Sequence, residues 1–233
     1  MRLTNFTILA LAAICILPAL GEYSADYWLG EARQLSLDGS YEEAVASYDK
    51  ALELDPSNAT LLIGKGLALA NLGRYSEAID NFDKALLSNS SNADIWYFKG
   101  LALSVGLENY DKGIASFDKA LEINSDYCDA WISRGVALKN AGRLDDALES
   151  FDEAIRINAR DPNSWTNKGV ILREQGKYQD ALSCFNKALE FDPDYEAAIK
   201  NKELTQQVIN QDNFYELDEI LYLAKQREGS LMN

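Results

Sequence analysis

Apolar and polar positions along this chain recur in blocks. The run KGLALANLGRYSEAIDNFDKAL at residue 65 returns as KGLALSVGLENYDKGIASFDKAL at 99, RGVALKNAGRLDDALESFDEAI at 134 and KGVILREQGKYQDALSCFNKAL at 168. Self-similarity at a near-constant step marks a unit too small to bury its own apolar face, which it completes by stacking on copies of itself. Aligned on glycines and aromatics, the units start at Ala25, Ala59, Ala93, Cys128 and Pro162, with a partial sixth from Glu196. The steps are 34, 34, 35, 34 and 34 residues.

Within each unit the pattern predicts two helices. The first opens on Trp28, Leu62, Trp96, Trp131 or Trp165, and four places on stands a small residue: Ala32, Gly66, Gly100, Gly135 or Gly169. Facing it from the second helix come Ala44, Ala78, Gly113, Ala147 and Ala181, so that small side chains oppose small ones and the backbones approach closely. Tyr48, Phe82, Phe117, Phe151 and Phe185 are expected to fill the wider gap beside them. Ala51, Ala85, Ala120, Ala154 and Ala188 are expected to receive the next unit. Gly39, Gly73, Gly142 and Gly176 sit where the first helix must stop in a left-handed residue. The third unit carries one extra residue, placed in the turn from Gly106 to Asn109, where insertion is cheapest. Pro56 and Pro193 end second helices, and Ser90, Ser125 and Ala159 replace that proline elsewhere.

The period and these key positions resemble the tetratricopeptide family's pattern of Trp, Leu-Gly, Tyr, Ala, Phe, Ala and Pro over residues 25–195. The resemblance implies an all-α, right-handed α-solenoid of five helix-turn-helix repeats at 25–58, 59–92, 93–127, 128–161 and 162–195. Residues 196–211 then form a capping helix with Ile199, Leu204 and Val208 on its buried face and Lys200, Lys202, Glu203 and Gln207 outward. Residues 212–233 form a second amphipathic segment with Phe214, Leu217, Leu221 and Ala224 at helical spacing, read as further capping or as a tethered segment that occupies a groove.

The resemblance further implies a concave groove, lined by first helices, that holds peptides or partner helices. The fifth and ninth residues of each repeat point into it: Leu29 and Arg33, Ile63 and Leu67, Tyr97 and Leu101, Ile132 and Val136, Thr166 and Val170. The stripe is mostly apolar, and Arg33, Lys139 and Arg173 flank it with positive charge. Tyr97, Leu101, Ile132 and Val136 are read as the central patch. The Lys, Asn and Arg pattern by which some family members grip a chaperone's C-terminal carboxylate is missing.

Charge narrows the partner. Twenty-two Lys and Arg stand against 37 Asp and Glu, a net charge of −15, so nucleic acid and anionic lipid are repelled and a basic or neutral apolar protein partner fits better. The order of charges predicts an ion-pair ladder in which Asp49, Asp83, Asp118 and Asp152 at one repeat position face Lys65, Lys99, Arg134 and Lys168 at another. Residues 1–21, with Arg2, an apolar run from Phe6 to Leu20, and Ala19 and Gly21 at the cleavage spacing, read as a secretory signal. The chain is therefore expected to be exported, and an uncut N-terminal segment is its one expected tie to a membrane. Cys128 and Cys184 are expected to be unbridged packing residues, and Asn58 and Asn89 open glycosylation sequons.

Candidate chemistry is sparse. The absence of His removes the commonest general base and transition-metal ligand. No phosphate loop or metal-spaced Cys pair is present, and the loosely calcium-like run Asp192, Asp194, Glu196 and Glu203 has Ala197 where such a loop needs glycine. No cofactor, metal or small-molecule substrate is expected, and too little chain remains outside the repeats for a catalytic unit. The expected function is a non-catalytic interaction scaffold or adaptor. The alternatives are a chaperone-like assembly factor for envelope or surface complexes, which binds many unfolded apolar segments, and a self-associating structural component.

Overall fold

The computed structural model describes residues 23–211. The signal at 1–21 and the segment at 212–233 lie outside them. Among the described residues the chain is helical throughout, with no strand. Its helices are α1 (Ala25–Leu37), α2 (Tyr41–Leu54), α3 (Ala59–Asn71), α4 (Tyr75–Ser88), α5 (Ala93–Leu101), α6 (Tyr110–Ile123), α7 (Cys128–Asn140), α8 (Leu144–Ile157), α9 (Pro162–Glu174) and α10 (Tyr178–Phe191). A last helix, α11, occupies 196–211. Among the described residues no helix is long and apolar enough to cross a membrane.

The chain divides into two compact units, one through Ala102 and one from Leu103. In the first, α1 packs on α2, α2 on α3, α3 on α4 and α4 on α5; in the second, the same succession runs from α6 to α10. The boundaries follow local chemistry. Ser24, Asn58, Asn92 and Asp161 cap first helices through side-chain oxygens, which accept hydrogen bonds from backbone N–H groups of the first turn. At the other end the fourth-from-last carbonyls are met by a left-handed glycine: Gly73 has φ +74, and Arg74 N donates to Leu69 O at 2.9 Å.

The third repeat solves its extra residue differently from the expectation. Ala102–Gly106 forms one π-helical turn, so the insertion is absorbed inside the helix end as well as in the turn. Asn109 N then reaches back six residues to Leu103 O at 2.8 Å, whereas Arg74 reaches back five. Glu108, not Gly106, takes the left-handed place, with φ 51.

The repeat alanines are buried as expected: Ala44, Ala51, Ala78, Ala85, Ala120, Ala147, Ala154, Ala181 and Ala188 are all at 0% exposure. At Gly66, Gly135 and Gly169 the nearest neighbour of the small first-helix residue is the aromatic ring of the second helix. A methyl group on Gly66 would lie 2.6 Å from the Phe82 ring, on Gly135 2.8 Å from Phe151, and on Gly169 2.6 Å from Phe185. In the second, fourth and fifth repeats the glycine thus makes room for the phenylalanine of the repeat's core.

α11 departs from its predicted face. Ala198 and Thr205 are wholly buried, while Ile199 and Leu204 are exposed. The reason lies in the register: Ala198 and Thr205 occupy the places held in the second and third repeats by Leu61, Ala68, Ile95 and Ala102, which are buried in the same way. Ile199 stands where the other first helices open on Trp or Leu. α11 is the first helix of a sixth repeat whose second helix does not occur among the described residues.

Candidate functional site

The predicted groove residues fall into both units. In the first, Arg33 on α1 is exposed, and Ile63 and Leu67 on α3 are half-buried against the unit's core. Tyr97 and Leu101 on α5 are half-buried, with the Tyr97 ring centroid 5.5 Å from that of Phe98. In the second, Ile132, Val136 and Lys139 lie half-buried along α7, and Val170 and Arg173 along α9, where Val170 packs on the cluster of Leu172, Cys184 and Phe185. One groove expectation is corrected. Thr166 is buried, its hydroxyl donating to the Pro162 carbonyl at 2.7 Å within its own helix, because α9 there faces its neighbour and not an open surface. Tyr97 and Leu101 belong to one unit and Ile132 and Val136 to the other.

What the first unit brings together is a cavity of about 400 Å³ between α1 and α3, floored by α2. Its walls include Arg33 and Leu67 from the expected stripe. They also include Leu37, Tyr41 and Gly64, which the periodic pattern does not single out, and Tyr48, which it groups with the phenylalanines as a gap-filler. The signal that distinguishes it is the tyrosine itself, at a position that is Phe82, Phe117, Phe151 and Phe185 in the other repeats. Among the described residues Arg33 forms no ion pair. Polar groups on the wall are partly engaged: Ser36 Oγ donates to the Ala32 carbonyl at 2.8 Å, and Asn71 Nδ2 to the Leu67 carbonyl at 2.9 Å.

The ion-pair ladder is present, with each cation reaching the acid sixteen residues before it. Lys65 meets Asp49 at 2.5 Å, Lys99 meets Asp83 at 2.5 Å, Arg134 meets Asp118 at 2.6 Å, and Lys168 pairs with Asp152. Arg134 adds a bond from Nη1 to the buried Ser150 Oγ at 2.6 Å. These charges are tied to architecture and leave the cavity's Arg33 as the cation available to a ligand there. Cys128 and Cys184 are free thiols; burial pushes the Cys184 pKa up to about 11 and also raises that of Cys128. Neither is an activated nucleophile. Asn58 caps α3 and donates to Asp55 at 2.9 Å, so that sequon's amide is engaged in structure. Among the described residues no group of three His, Cys, Asp or Glu is placed to hold a metal. Asp192 instead turns the chain, accepting from the Asp194 backbone N–H at 3.2 Å.

Family models match the chain as Tetratricopeptide repeat over residues 162–195, as TPR repeat over 37–73, and as Tetratricopeptide repeat over 63–127 and 103–162. Among solved structures, YrrB, described as "a TPR protein with an unusual peptide-binding site", is 31% identical, with a TM-score of 0.65 over 85% of this chain and 98% of that one. A MamA protein is 23% identical at TM-score 0.66, covering 74% of this chain and 95% of that one. MamA from Desulfovibrio magneticus RS-1 is 21% identical at TM-score 0.69, covering 76% and 99%. The two MamA structures share the fold. No curated protein matches the sequence. Helix pairs in this register, family models that between them span residues 37 to 195, and a solved relative aligned over nearly its whole length make the chain a protein-interaction module of the tetratricopeptide repeat family.

Proposed function

We propose that this chain is an exported, non-catalytic adaptor that holds a peptide segment or helix of a partner protein on its first-helix face. The cavity between α1 and α3 carries this reading, because it is an apolar recess on the face of the predicted stripe and has an unpaired cation at its wall. A solved relative described as having a peptide-binding site supports it. Ile63, Leu67, Tyr97 and Leu101 extend the surface in the first unit, and Ile132, Val136, Lys139, Val170 and Arg173 offer a comparable stripe in the second.

The test is photo-crosslinking in the native host from position 37, since Leu37 is 82% exposed at the cavity. A discrete protein adduct from position 37, absent from position 87 on α4 and lost in Leu67→Glu, is the expected result. Equal capture from position 87, where Leu87 is 88% exposed away from the cavity lining, would overturn it.

A second reading, self-association, is favoured by one observation: α11 exposes Ile199 and Leu204 at the end of the array. On this reading sedimentation of the full chain gives a mass that rises with concentration above 25.9 kDa. The rise disappears in Ile199→Glu with Leu204→Glu, or on deleting residues 212–233. A monomer at all concentrations removes this reading.

A further inference from the structure

Resting on the self-association reading and deepening it, we propose that residues 214–227 of one copy pack as a second helix on the open face of α1 of another copy, so that copies add head to tail. α1 has a seat for a second helix that nothing among the described residues fills. The third residue of each later repeat is Leu61, Ile95, Ala130, Ser164 or Ala198, at 0–1% exposure. The tenth is Ala68, Ala102, Ala137, Ile171 or Thr205, at 0–3%. The same places on α1 are Tyr27, 45% exposed, and Gln34, also exposed. Elsewhere this face is covered by the preceding second helix, as α2 packs on α3. The ring of that helix meets the sixth residue of the repeat: Tyr48 lies against Gly64, and Phe82 stacks on Phe98 with centroids 6.3 Å apart. The sixth residue of the first repeat is Gly30, where an added methyl group meets nothing within 4 Å. Burying this stripe, with Leu37 at its end, is the gain from docking.

The same sequence carries a second-helix pattern that lacks a seat. Phe214, Leu217, Ile220, Leu221 and Ala224 stand 36 residues after Tyr178, Ala181, Cys184, Phe185 and Ala188, of which the last four are the buried face of α10. α11 does not receive this pattern as α9 receives α10. Asn210, at the place of the turn glycines Gly142 and Gly176, is helical, and α11 runs on to 211. Glu203 stands where Gly135 and Gly169 make room for a second-helix ring, so an apolar side chain packed there would bury a carboxylate. The link 212–213 reaches only about 7 Å, which keeps the segment beside α11, and a second copy brings α1 to it. Charge agrees with this register. In the ladder Lys65 meets Asp49; at the new junction the cation's place is Glu31 and the acid's place is Tyr222, so a phenol donates to a carboxylate and no like charges meet. The end of a second helix adjoins the start of the next first helix, as four residues join α2 to α3. Lys225 and Arg227 therefore arrive beside Asp26 in the first turn of α1.

The test is sedimentation velocity on the chain from residue 22, the form that the expected signal cleavage leaves, and on two variants. Gly30→Arg fills the seat at a place where the fold leaves room. Leu217→Glu with Leu221→Glu spoils the segment and leaves α1 untouched. The unaltered chain is expected to grow past twice the monomer mass as concentration rises, because a head-to-tail contact does not close on itself. Each variant alone is expected to stay monomeric with unchanged helical circular dichroism. Mixed in equal amounts, the two are expected to stop at twice the monomer mass, the intact segment of one entering the intact seat of the other. Two results overturn the proposal while self-association itself stands: Gly30→Arg associating as strongly as the unaltered chain, or a mixture of the variants that stays monomeric. An unaltered chain that is monomeric at all concentrations removes both.

Discussion

Two glycines in first helices illustrate how one residue type serves opposite ends. Gly135 touches the Phe151 ring, which has 0% exposure and nowhere to retreat, whereas Gly30 on α1 has nothing within 4 Å of an added methyl group. Gly135→Ala is expected to destabilise by about 1–2 kcal/mol, overpacking outweighing the gain in helix propensity. Gly30→Ala is expected to stabilise by about 0.5–1 kcal/mol. Urea unfolding of the two variants checks both signs. Cys184 gives a pH dependence. Burial pushes its thiol pKa from an ordinary 9.0 to about 11 in the fold. Above pH 9 the unfolded chain gives up this proton first, so the contribution is full below pH 9 and is lost as pH rises through about 11. Cys184→Ser is expected to flatten that decline in a plot of melting temperature against pH. The tryptophans show a further residue-scale rule. Trp96, Trp131 and Trp165 donate Nε1–H to the carbonyls of Ser90, Ser125 and Ala159 six residues earlier, at 3.0, 2.8 and 2.9 Å. Where the opening residue is Leu62, which has no such donor, the place six residues before it is Pro56.

At the scale of elements, the repeat is a hairpin whose turn tolerates one exception. Four of its turns use glycine at φ +74 to +78, and the fifth uses Glu108 at φ 51 after a π turn. A side chain in the left-handed region costs about 1 kcal/mol, so Glu108→Gly is expected to raise stability by about 0.5–1 kcal/mol in thermal unfolding. The ladder ties successive hairpins. Lys99, at 19% side-chain exposure, pairs with Asp83, at 49%, a half-solvated contact worth about 0.2–1 kcal/mol. Lys99→Asp and Asp83→Lys are each expected to destabilise, and the double swap to recover most of the loss. Additivity of the two changes would remove Asp83 as the partner. Both helices of each hairpin were legible in the amino-acid order, because a 34-residue period repeats every apolar position. The place of the insertion was not, because a π turn differs from an α turn by one backbone hydrogen bond and leaves no side-chain signature.

At the largest scale, the succession of packed helices within each unit makes stability a matter of neighbours. The chain divides between Ala102 and Leu103, so damage from Gly135→Ala in the second unit stays near its source. Native-state hydrogen exchange is expected to speed about tenfold in α7 and α8, for a loss near 1.4 kcal/mol, with α1 and α2 little changed. Uniform acceleration across both units would show a single cooperative block instead.

The amino-acid order alone settled the family, the all-helical architecture, the alanine and phenylalanine core and the candidate ladder. Each rests on local periodicity, and five copies of a pattern report the same interior environment five times. Which acid each lysine takes, which face of α11 is buried and where a cavity opens came from the folded chain. These depend on which side chains meet across a helix boundary, and no spacing along one helix records that. Tyr48 and Gly64 make the point: sixteen residues apart, each is an ordinary variation within its own helix. Only the fold brings them into contact, ring against bare backbone, on the wall of the recess.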